Sequence, residues 1–480
     1  MNLDPLRRWE QRFGALPLPS PMIWAVLVAA FLGFGVLMGR AAGHNATDAL
    51  ASAHAPLKVL VAQGASSAGS AIGSTTAAPP TPPPAPEAET TPEPSSAPAE
   101  SSTPAPASKT STSSGSTSGS KEASGGGKGS SSQSPKAGLP AIKHVFVVML
   151  SDEPYATVFG PASPAHYLTS TLEKKGELLE RYYAVAHEGL ANGIALLSGQ
   201  GPTEATAANC PAYTDIVPAS AGPERQILGK GCVYPTSTQT LMGQLTIKHL
   251  TWKAYIEGND EGALSTCSHP ATGATDPSAT ETATQSYQTW RNPLVYFHSI
   301  LGSPACAADD LGMSALKGDL ANQQRTANFS YIVPGPCQDG NPVACSPGKP
   351  AGMTAADGFL QKIVPEILAS KAYKQNGLLA ITVDQAPSSG EYADSSSCCA
   401  QPKFPNLPAP TGVAKLSGSG GGQVGLLLLS PFAKGGGLVQ DTYNHFSLLA
   451  TIEQIFGLSR LGYASLTEVK PITPSLYSGG

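Results

Sequence analysis

Five short apolar runs, each bounded by turn residues, recur between residue 142 and the C-terminus of this 480-residue chain. They are HVFVVML (144–150), WKAYIE (252–257), FSYIV (329–333), GLLAITV (377–383) and VGLLLLS (424–430). Continuous apolar runs of this length predict strands that are buried on both faces. Helical patterns lie between them at 238–250, 359–370 and 444–456. Strands that alternate with helices predict one α/β domain, residues 142–480, with a mostly parallel sheet.

A different kind of apolar run lies near the N-terminus. Residues 22–39, MIWAVLVAAFLGFGVLMG, contain no charge and no proline. As a helix the run would be roughly 27 Å long, close to the thickness of a bilayer core. Arg7, Arg8 and Arg12 precede it, so the positive-inside rule places residues 1–21 in the cytoplasm. The run predicts a transmembrane signal anchor, and the alternative is a cleaved secretory signal.

Between the anchor and the domain, residues 63–138 are of low complexity. The first half is rich in proline and predicts extended polyproline II, and the second half is rich in glycine and serine and predicts flexible coil. Neither half can bury enough apolar surface to offset its ordering entropy. We therefore expect a disordered linker that holds residues 142–480 outside the cell membrane on a single-pass anchor.

The overall composition excludes two classes of protein. With 29 Lys and Arg against 34 Asp and Glu, the formal net charge is −5, which argues against a nucleic-acid partner. A hydrophobic fraction of 41% is too low for a protein with many membrane spans. The low charged fraction of 13% reflects the mixture of anchor, linker and domain.

All the cysteines fall in the predicted domain. Their number is even and the domain is predicted to be extracytoplasmic, so disulfides are expected. Proximity along the chain favours the pairs Cys210–Cys232 and Cys337–Cys345, and the other pairings stay open. The absence of a CxxC pair argues against a structural zinc site. The candidates are Cys210, Cys232, Cys267, Cys306, Cys337, Cys345, Cys398 and Cys399.

Acidic residues follow two of the predicted strands. Asp152 comes just after the first strand and Asp384 just after the fourth. Because sites in open α/β sheets lie beyond the carboxyl ends of the strands, these carboxylates could converge on a hard cation. The alternative is that each is a helix cap or turn residue. His445, near the start of the last predicted helix, is by itself more typical of a structural histidine.

Several long stretches carry a family resemblance. They include IKHVFVVMLSDEPYATVFG, RYYAVAHEGLANGIALLSGQGPTEATAANCPAYTD, ASKAYKQNGLLAITVDQA and the C-terminal GGGQVGLLLLSPFAKGGGLVQDTYNHFSLLATIEQIFGLSRLGYA. Residues 142–464 resemble the bacterial phosphoesterase family of acid phosphatases and C-type phospholipases, within the alkaline-phosphatase-like superfamily. The resemblance implies a doubly wound α/β fold, hydrolysis of phosphate esters, and a Ser or Thr nucleophile activated by metal.

The family's metal and nucleophile positions are largely substituted here. The Glu-Asn pair that follows the first strand in the family is Ser151-Asp152, and the Asp-Glu pair after the fourth strand is Asp384-Gln385. In the family pattern His-x-(Ser/Thr)-x-x-Asn, this chain reads HEGLAN, which puts Gly189 at the nucleophile position.

Two other family positions are retained in this chain and two are replaced. Asn192 matches the end of the same pattern, and His445 matches a family histidine. Two further family histidines are replaced, one by Arg291 before the NPLVYF stretch and one by Asn341 in an Asp-Gly-His pattern.

These substitutions predict a weak or inactive phosphoesterase-family domain, that is, a pseudoenzyme. Glycine has no lone pair to attack phosphorus, and the loss of two carboxylates makes a divalent-metal cofactor doubtful. Binding could persist, because the amides at the helix start near Gly189, with Asn192 and His445, could hold an anion. A phosphate-containing ligand or a cell-surface partner is expected.

The alternative function is an active, metal-dependent hydrolase of phosphate esters with a rearranged site. It would use Asp152, Asp384, Glu188 and His445, with Glu188 as the base for direct attack by water. The residues alone leave the question of catalytic activity open.

Overall fold

The computed structural model describes residues 142–260, 266–279, 287–342, 345–408 and 420–472. The predicted cytoplasmic segment (1–21), anchor (22–39) and linker (63–138) lie outside the described residues. Within the described ranges, no helix combines the length and the apolar character that crossing a bilayer requires.

The described residues form an α/β domain. Its strands are β1 His144–Leu150, β2 Glu177–Leu179, β3 Tyr182–Tyr183, β4 Val217–Ala221, β5 Ile227–Lys230, β6 Trp252–Ile256, β7 Asp310–Gly312, β8 Phe329–Val333, β9 Gly377–Val383, β10 Leu426–Leu429, β11 Gly437–Val439 and β12 Tyr443–Asn444. Its α-helices are α1 Tyr155–Val158, α2 Gly189–Ser198, α3 Leu241–Ile247, α4 His298–Leu301, α5 Pro304–Asp309, α6 Ser314–Leu320, α7 Gly352–Ala369, α8 Lys371–Asn376 and α9 His445–Phe456. Short 3-10 helices at Thr289–Arg291 and Pro293–Tyr296 matter below.

The central sheet has eight strands in the order β11-β2-β10-β9-β1-β8-β6-β7. Strand β1 is parallel to both of its neighbours, β8 and β9. Among the described strands of this sheet, β10 alone runs antiparallel to its neighbours. The predicted mostly parallel sheet is thus confirmed, and the VGLLLLS run is its reversed strand.

Burial explains why apolar runs mark the strands. Every residue of β1, β8, β9 and β10 is buried. Because successive side chains of a strand point to opposite faces, such strands need cover on both faces. The predicted helices are also present, although α3 is shorter than 238–250 and α7 begins earlier than residue 359.

Helix α9 starts at a well-defined point. The Asn444 side chain accepts a hydrogen bond from the Ser447 amide at 3.0 Å, and the Ser447 hydroxyl accepts one from the Asn444 amide at 3.3 Å. This reciprocal capping arrangement satisfies two amides that would otherwise lack partners. It fixes His445 as the first residue of the helix, directly under the sheet edge.

Four disulfides join the cysteines. The predicted pairs Cys210–Cys232 and Cys337–Cys345 are both confirmed. The other two pairs are Cys267–Cys306 and the adjacent residues Cys398–Cys399. No free cysteine remains among the eight, all of which the structure describes.

Candidate functional site

The carboxyl ends of β1 and β9 bring two predicted residue pairs together. The Ser151 hydroxyl donates a hydrogen bond to Asp384 Oδ2 at 3.0 Å, and the Asp152 amide donates one to Asp384 Oδ1 at 3.1 Å. The convergence follows from register, since Leu150 pairs with Val383 across the two strands. Both oxygens of Asp384 therefore already have protein partners.

Asp384 is buried, with only 4% of the residue exposed. Burial raises the pKa of Asp384 to about 8, although the nearby Arg291 charge opposes the shift.

The nucleophile position lacks room for a side chain as well as lacking a hydroxyl group. Gly189 begins α2 and is buried. A β-carbon added at Gly189 would overlap both the Asp384 carboxylate and the Trp290 ring. A serine could therefore not stand at this position unless Trp290 moved.

The start of α2 is capped by side chains. The Glu188 amide donates to Gln385 Oε1, and the Leu190 amide donates to Asn209 Oδ1 at 3.1 Å. Asn209 Nδ2 in turn donates to Glu188 Oε2 at 2.7 Å. Amides that could have held an anion thus already have acceptors.

The backbone beside the site is held in an unusual conformation. Asp152 and Glu188 have φ values of 54° and 72°, in the left-handed region that favours glycine. Both side chains are half-buried, and Gln385 Nε2 lies 3.4 Å from Asp152 Oδ1. These carboxylates lie at the outer end of the site.

Asn192 serves the backbone. It is fully buried, and its Oδ1 accepts hydrogen bonds from the amides of Val185 at 2.9 Å and Ala186 at 3.3 Å. Its Nδ2 donates to the carbonyls of Ala186 and Glu188. All its polar atoms have protein partners, so this residue fixes the path of residues 185–188 into α2.

His445 is also enclosed. It is fully buried, with Nε2 2.9 Å from the Asp384 carbonyl oxygen and Nδ1 2.8 Å from the Tyr182 hydroxyl. Burial lowers the pKa of His445 to about 4, so the ring is neutral. Because a carbonyl can only accept, Nε2 carries the proton and the Tyr182 hydroxyl donates to Nδ1. This histidine supports the chain at Asp384.

The sequence did not identify Trp290 and Asp339 as part of the site, and it marked Arg291 and Asn341 only as replaced family histidines. Arg291 forms a buried ion pair with Asp339, and its guanidinium lies 4.3 Å from the centroid of the Trp290 ring. Asn341, at the lost histidine position, donates its amide to Asp339 Oδ1 at 2.9 Å. The available signal was the Asp-Gly spacing before Asn341, which marks Asp339.

Little room remains within this cluster. A cavity of about 10 Å³ is lined in part by Gly189, Trp290, Arg291, Tyr331 and Asp384. That volume is near the minimum for one water molecule. A phosphate ester does not fit between these residues as they stand.

The residues present do not fit a divalent cation. Ser151 and Gln385 are uncharged, both oxygens of Asp384 are hydrogen-bonded, and a guanidinium already pairs with Asp339. Among the described residues, the grouping with metal-like spacing is Cys267, Cys306 and Asp310, away from Asp152 and Asp384. Two of its members are joined as a disulfide, so they offer no thiolates.

A hydroxyl–imidazole pair lies beside the site. Ser395 Oγ is 2.8 Å from His187 Nε2, and both residues are partly exposed. Burial lowers the pKa of His187, which favours a neutral ring that can accept the hydroxyl proton. His187 lies two residues before Gly189, but Ser395 is more than 200 residues away along the chain, so this pair could not be predicted from the sequence.

One family model matches most of the described domain. The sequence model described as Phosphoesterase family matches residues 148–459. No curated protein matches the chain.

Solved structures show partial likeness. A protein of the alkaline phosphatase superfamily from Vibrio parahaemolyticus has 10% sequence identity and a TM-score of 0.39, over 70% of this chain and 72% of that one. A sulfatase from Pseudoalteromonas sp. has 12% identity and a TM-score of 0.38, over 72% of each chain. The lipoteichoic acid synthase from Listeria monocytogenes has 10% identity and a TM-score of 0.37, over 69% and 77%.

Proposed function

The chain belongs to the phosphoesterase family, and from that premise we propose that its domain is a binding module that does not hydrolyse phosphate esters by the family's route. The observation that carries the proposal is the filled nucleophile position. The Trp290 ring and the Asp384 carboxylate occupy the space that a side chain at Gly189 would need.

The chemistry of the neighbouring residues supports the same conclusion. Without a hydroxyl at 189, no oxygen stands in line for attack on phosphorus. Without carboxylates at 151 and 385, two anionic metal ligands are missing. Neither can be replaced by Asn192 or His445, whose polar atoms have other partners.

The proposed module is anchored in the cell membrane by residues 22–39 and held outside it by the linker at 63–138. The four disulfides support an oxidising, extracytoplasmic setting. We also propose that the fold is doubly wound, with helices on both faces of the central sheet. The ligand is a phosphate-containing molecule or a cell-surface partner. Because the amides near Gly189 already have acceptors within the protein, contact through the outer surface of the domain is favoured.

An activity assay tests this proposal. The full-length protein, purified in detergent, is incubated with p-nitrophenyl phosphate and bis(p-nitrophenyl) phosphate in the presence of Mg²⁺, Ca²⁺, Mn²⁺ or Zn²⁺. We expect no turnover above an Asp384→Ala control. Metal-dependent turnover that disappears in that control would refute the proposal.

One observation favours a second candidate function, an active ester hydrolase with a rearranged site. The 2.8 Å contact between His187 Nε2 and Ser395 Oγ has the geometry of a base and its nucleophile. The imidazole would take the hydroxyl proton as Oγ bonds to the ester's phosphorus or carbon. The departing alcohol would then receive that proton. A water molecule that gives its proton to the same imidazole would release the group from Oγ, which takes the proton back. The test is metal-independent ester hydrolysis that is lost in Ser395→Ala and kept in the matched control Ser397→Ala.

A further inference from the structure

Arg291 is a permanent cation inside the protein. Its side chain is 3% exposed, and that of its partner Asp339 is fully buried. The guanidinium Nε also donates a hydrogen bond to Gln288 Oε1, and the group lies over the Trp290 ring. A buried guanidinium is tolerated only when carboxylates and hydrogen bonds compensate it, so this arrangement is specific to the site.

The cation lies where the resemblance places a histidine. Arg291 shares the small cavity at the sheet edge with Gly189 and Asp384. It pairs with Asp339, and its charge acts on Asp384, so two buried carboxyl groups lie near it. Unlike histidine, arginine carries its charge at any physiological pH.

A count of charges supports a link between these substitutions. Relative to the family pattern, Ser151 and Gln385 remove two negative charges and Asp152 adds one, so the edge has one fewer negative charge. A guanidinium supplies one fewer positive charge than one divalent ion, so exchanging one such ion for Arg291 leaves the net charge of the edge unchanged.

We propose that the Arg291 guanidinium is a built-in substitute for a divalent cation, which holds the Asp339 and Asp384 carboxylates together without bound metal. The inference rests on the proposed function, because both exclude the family's metal chemistry. It adds that this edge of the domain is stable only when a cation fills it, and that the chain now supplies that cation itself.

Thermal unfolding of the full-length protein at pH 7 tests the inference. We expect the wild-type Tm to be the same with EDTA as with Mg²⁺, Mn²⁺ or Zn²⁺. Arg291→Ala should lower the Tm by roughly 5–10 °C, as expected for an unpaired buried carboxylate. Methylguanidinium at low millimolar concentration should recover part of that loss. The matched control Arg325→Ala, which removes an exposed arginine, should show no such recovery.

Two results would overturn the inference. One is a wild-type Tm that rises with a divalent ion or falls with EDTA. The other is an Arg291→Ala Tm that methylguanidinium leaves unchanged. If Arg291→Ala does not fold, Arg291→Lys and Arg291→Met replace it. The lysine variant should retain the higher Tm because it keeps the charge, and equal Tm values would reject the inference.

The hydrolysis assay separates this inference from the proposed function. Metal-dependent turnover by the wild-type protein would refute both. Absence of turnover together with failed rescue of Arg291→Ala would reject only the role of Arg291.

Discussion

Two clusters of ion-paired carboxyl groups in this domain differ in how far their cations are exposed to solvent. At the sheet edge, Arg291 and Asp339 are both buried, whereas in the outer cluster Asp319 meets Lys253 at 2.5 Å and Arg325 at 2.7 Å. The Arg325 side chain is 60% exposed. Solvent can therefore stabilise the outer cations but not the inner one.

This difference in exposure is accompanied by opposite pKa shifts at Asp339 and Asp319. Burial raises the pKa of Asp339, and the opposing Arg291 charge does not cancel that effect. Burial also acts on Asp319, yet hydrogen bonds from Lys253 and Tyr255, with the charges of Lys253 and Arg325, lower its pKa. Of these two clusters, the sheet edge is the one where desolvation outweighs the neighbouring charges and hydrogen bonds.

The largest expected effect is at the inner pair. Asp339→Asn removes the charge partner of a buried guanidinium and should lower the free energy of unfolding by about 3–5 kcal/mol. Urea denaturation measures this difference. A loss under about 1 kcal/mol would mean that the inner pair behaves as the outer one does.

The next effect tests how tightly the inner site is filled. Gly189→Ala should destabilise the domain by about 1–3 kcal/mol, because the new methyl group overlaps Trp290 and Asp384. The matched control is Gly358→Ala in α7, where an added β-carbon meets no atom within 4 Å. There alanine should stabilise the helix by roughly 0.5–1 kcal/mol. Equal signs for the two substitutions would contradict a filled site.

The outer cluster should reveal itself by its pH dependence. Because the pKa of Asp319 is lowered in the folded state, its stabilisation is present above the unfolded pKa of about 3.9. It should be lost as the pH falls through the folded pKa. Comparing wild type with Asp319→Asn by thermal unfolding between pH 7 and pH 2, we expect the Tm difference to shrink towards low pH. A difference that grows would show that the pKa is raised instead.

The smallest expected effect is at the exposed arginine. Arg325→Ala should change the free energy of unfolding by only about 0–1 kcal/mol, because solvent screens the pair and Lys253 remains. Denaturation in low and high salt checks the value. A cost near that of Asp339→Asn would erase the distinction between the clusters.

The sequence predicted five of the eight described strands of the central sheet, and it missed the three-residue strands β2, β7 and β11. Because β1 and β9 are buried on both faces, their sequences are continuous apolar runs. Strand direction is not encoded in this way, since β10 has the same texture as its neighbours and runs the other way. The pair Cys267–Cys306 could not be predicted either, because 39 residues separate its members.

The candidate site was only partly predictable. Asp152 and Asp384 each follow a buried strand, and their convergence could be expected because parallel strands end at the same edge of a sheet. The filling of the site could not, because the 3-10 helix with Trp290 and Arg291 and the loop with Asp339 meet only in the folded chain. In the sequence, arginine in place of histidine indicates a lost family residue, while in the structure it is a gained cation.

The left-handed backbone at Asp152 and Glu188 has a consequence for how such a domain could change. Conformations of this kind cost about 1–3 kcal/mol each and persist only where the surroundings impose them. Here the amides of both residues donate hydrogen bonds to buried side chains, those of Asp384 and Gln385. Contacts within the fold thus maintain the shape of this edge. It is a ready template on which evolution or design could install new side chains while the path of the chain stays the same.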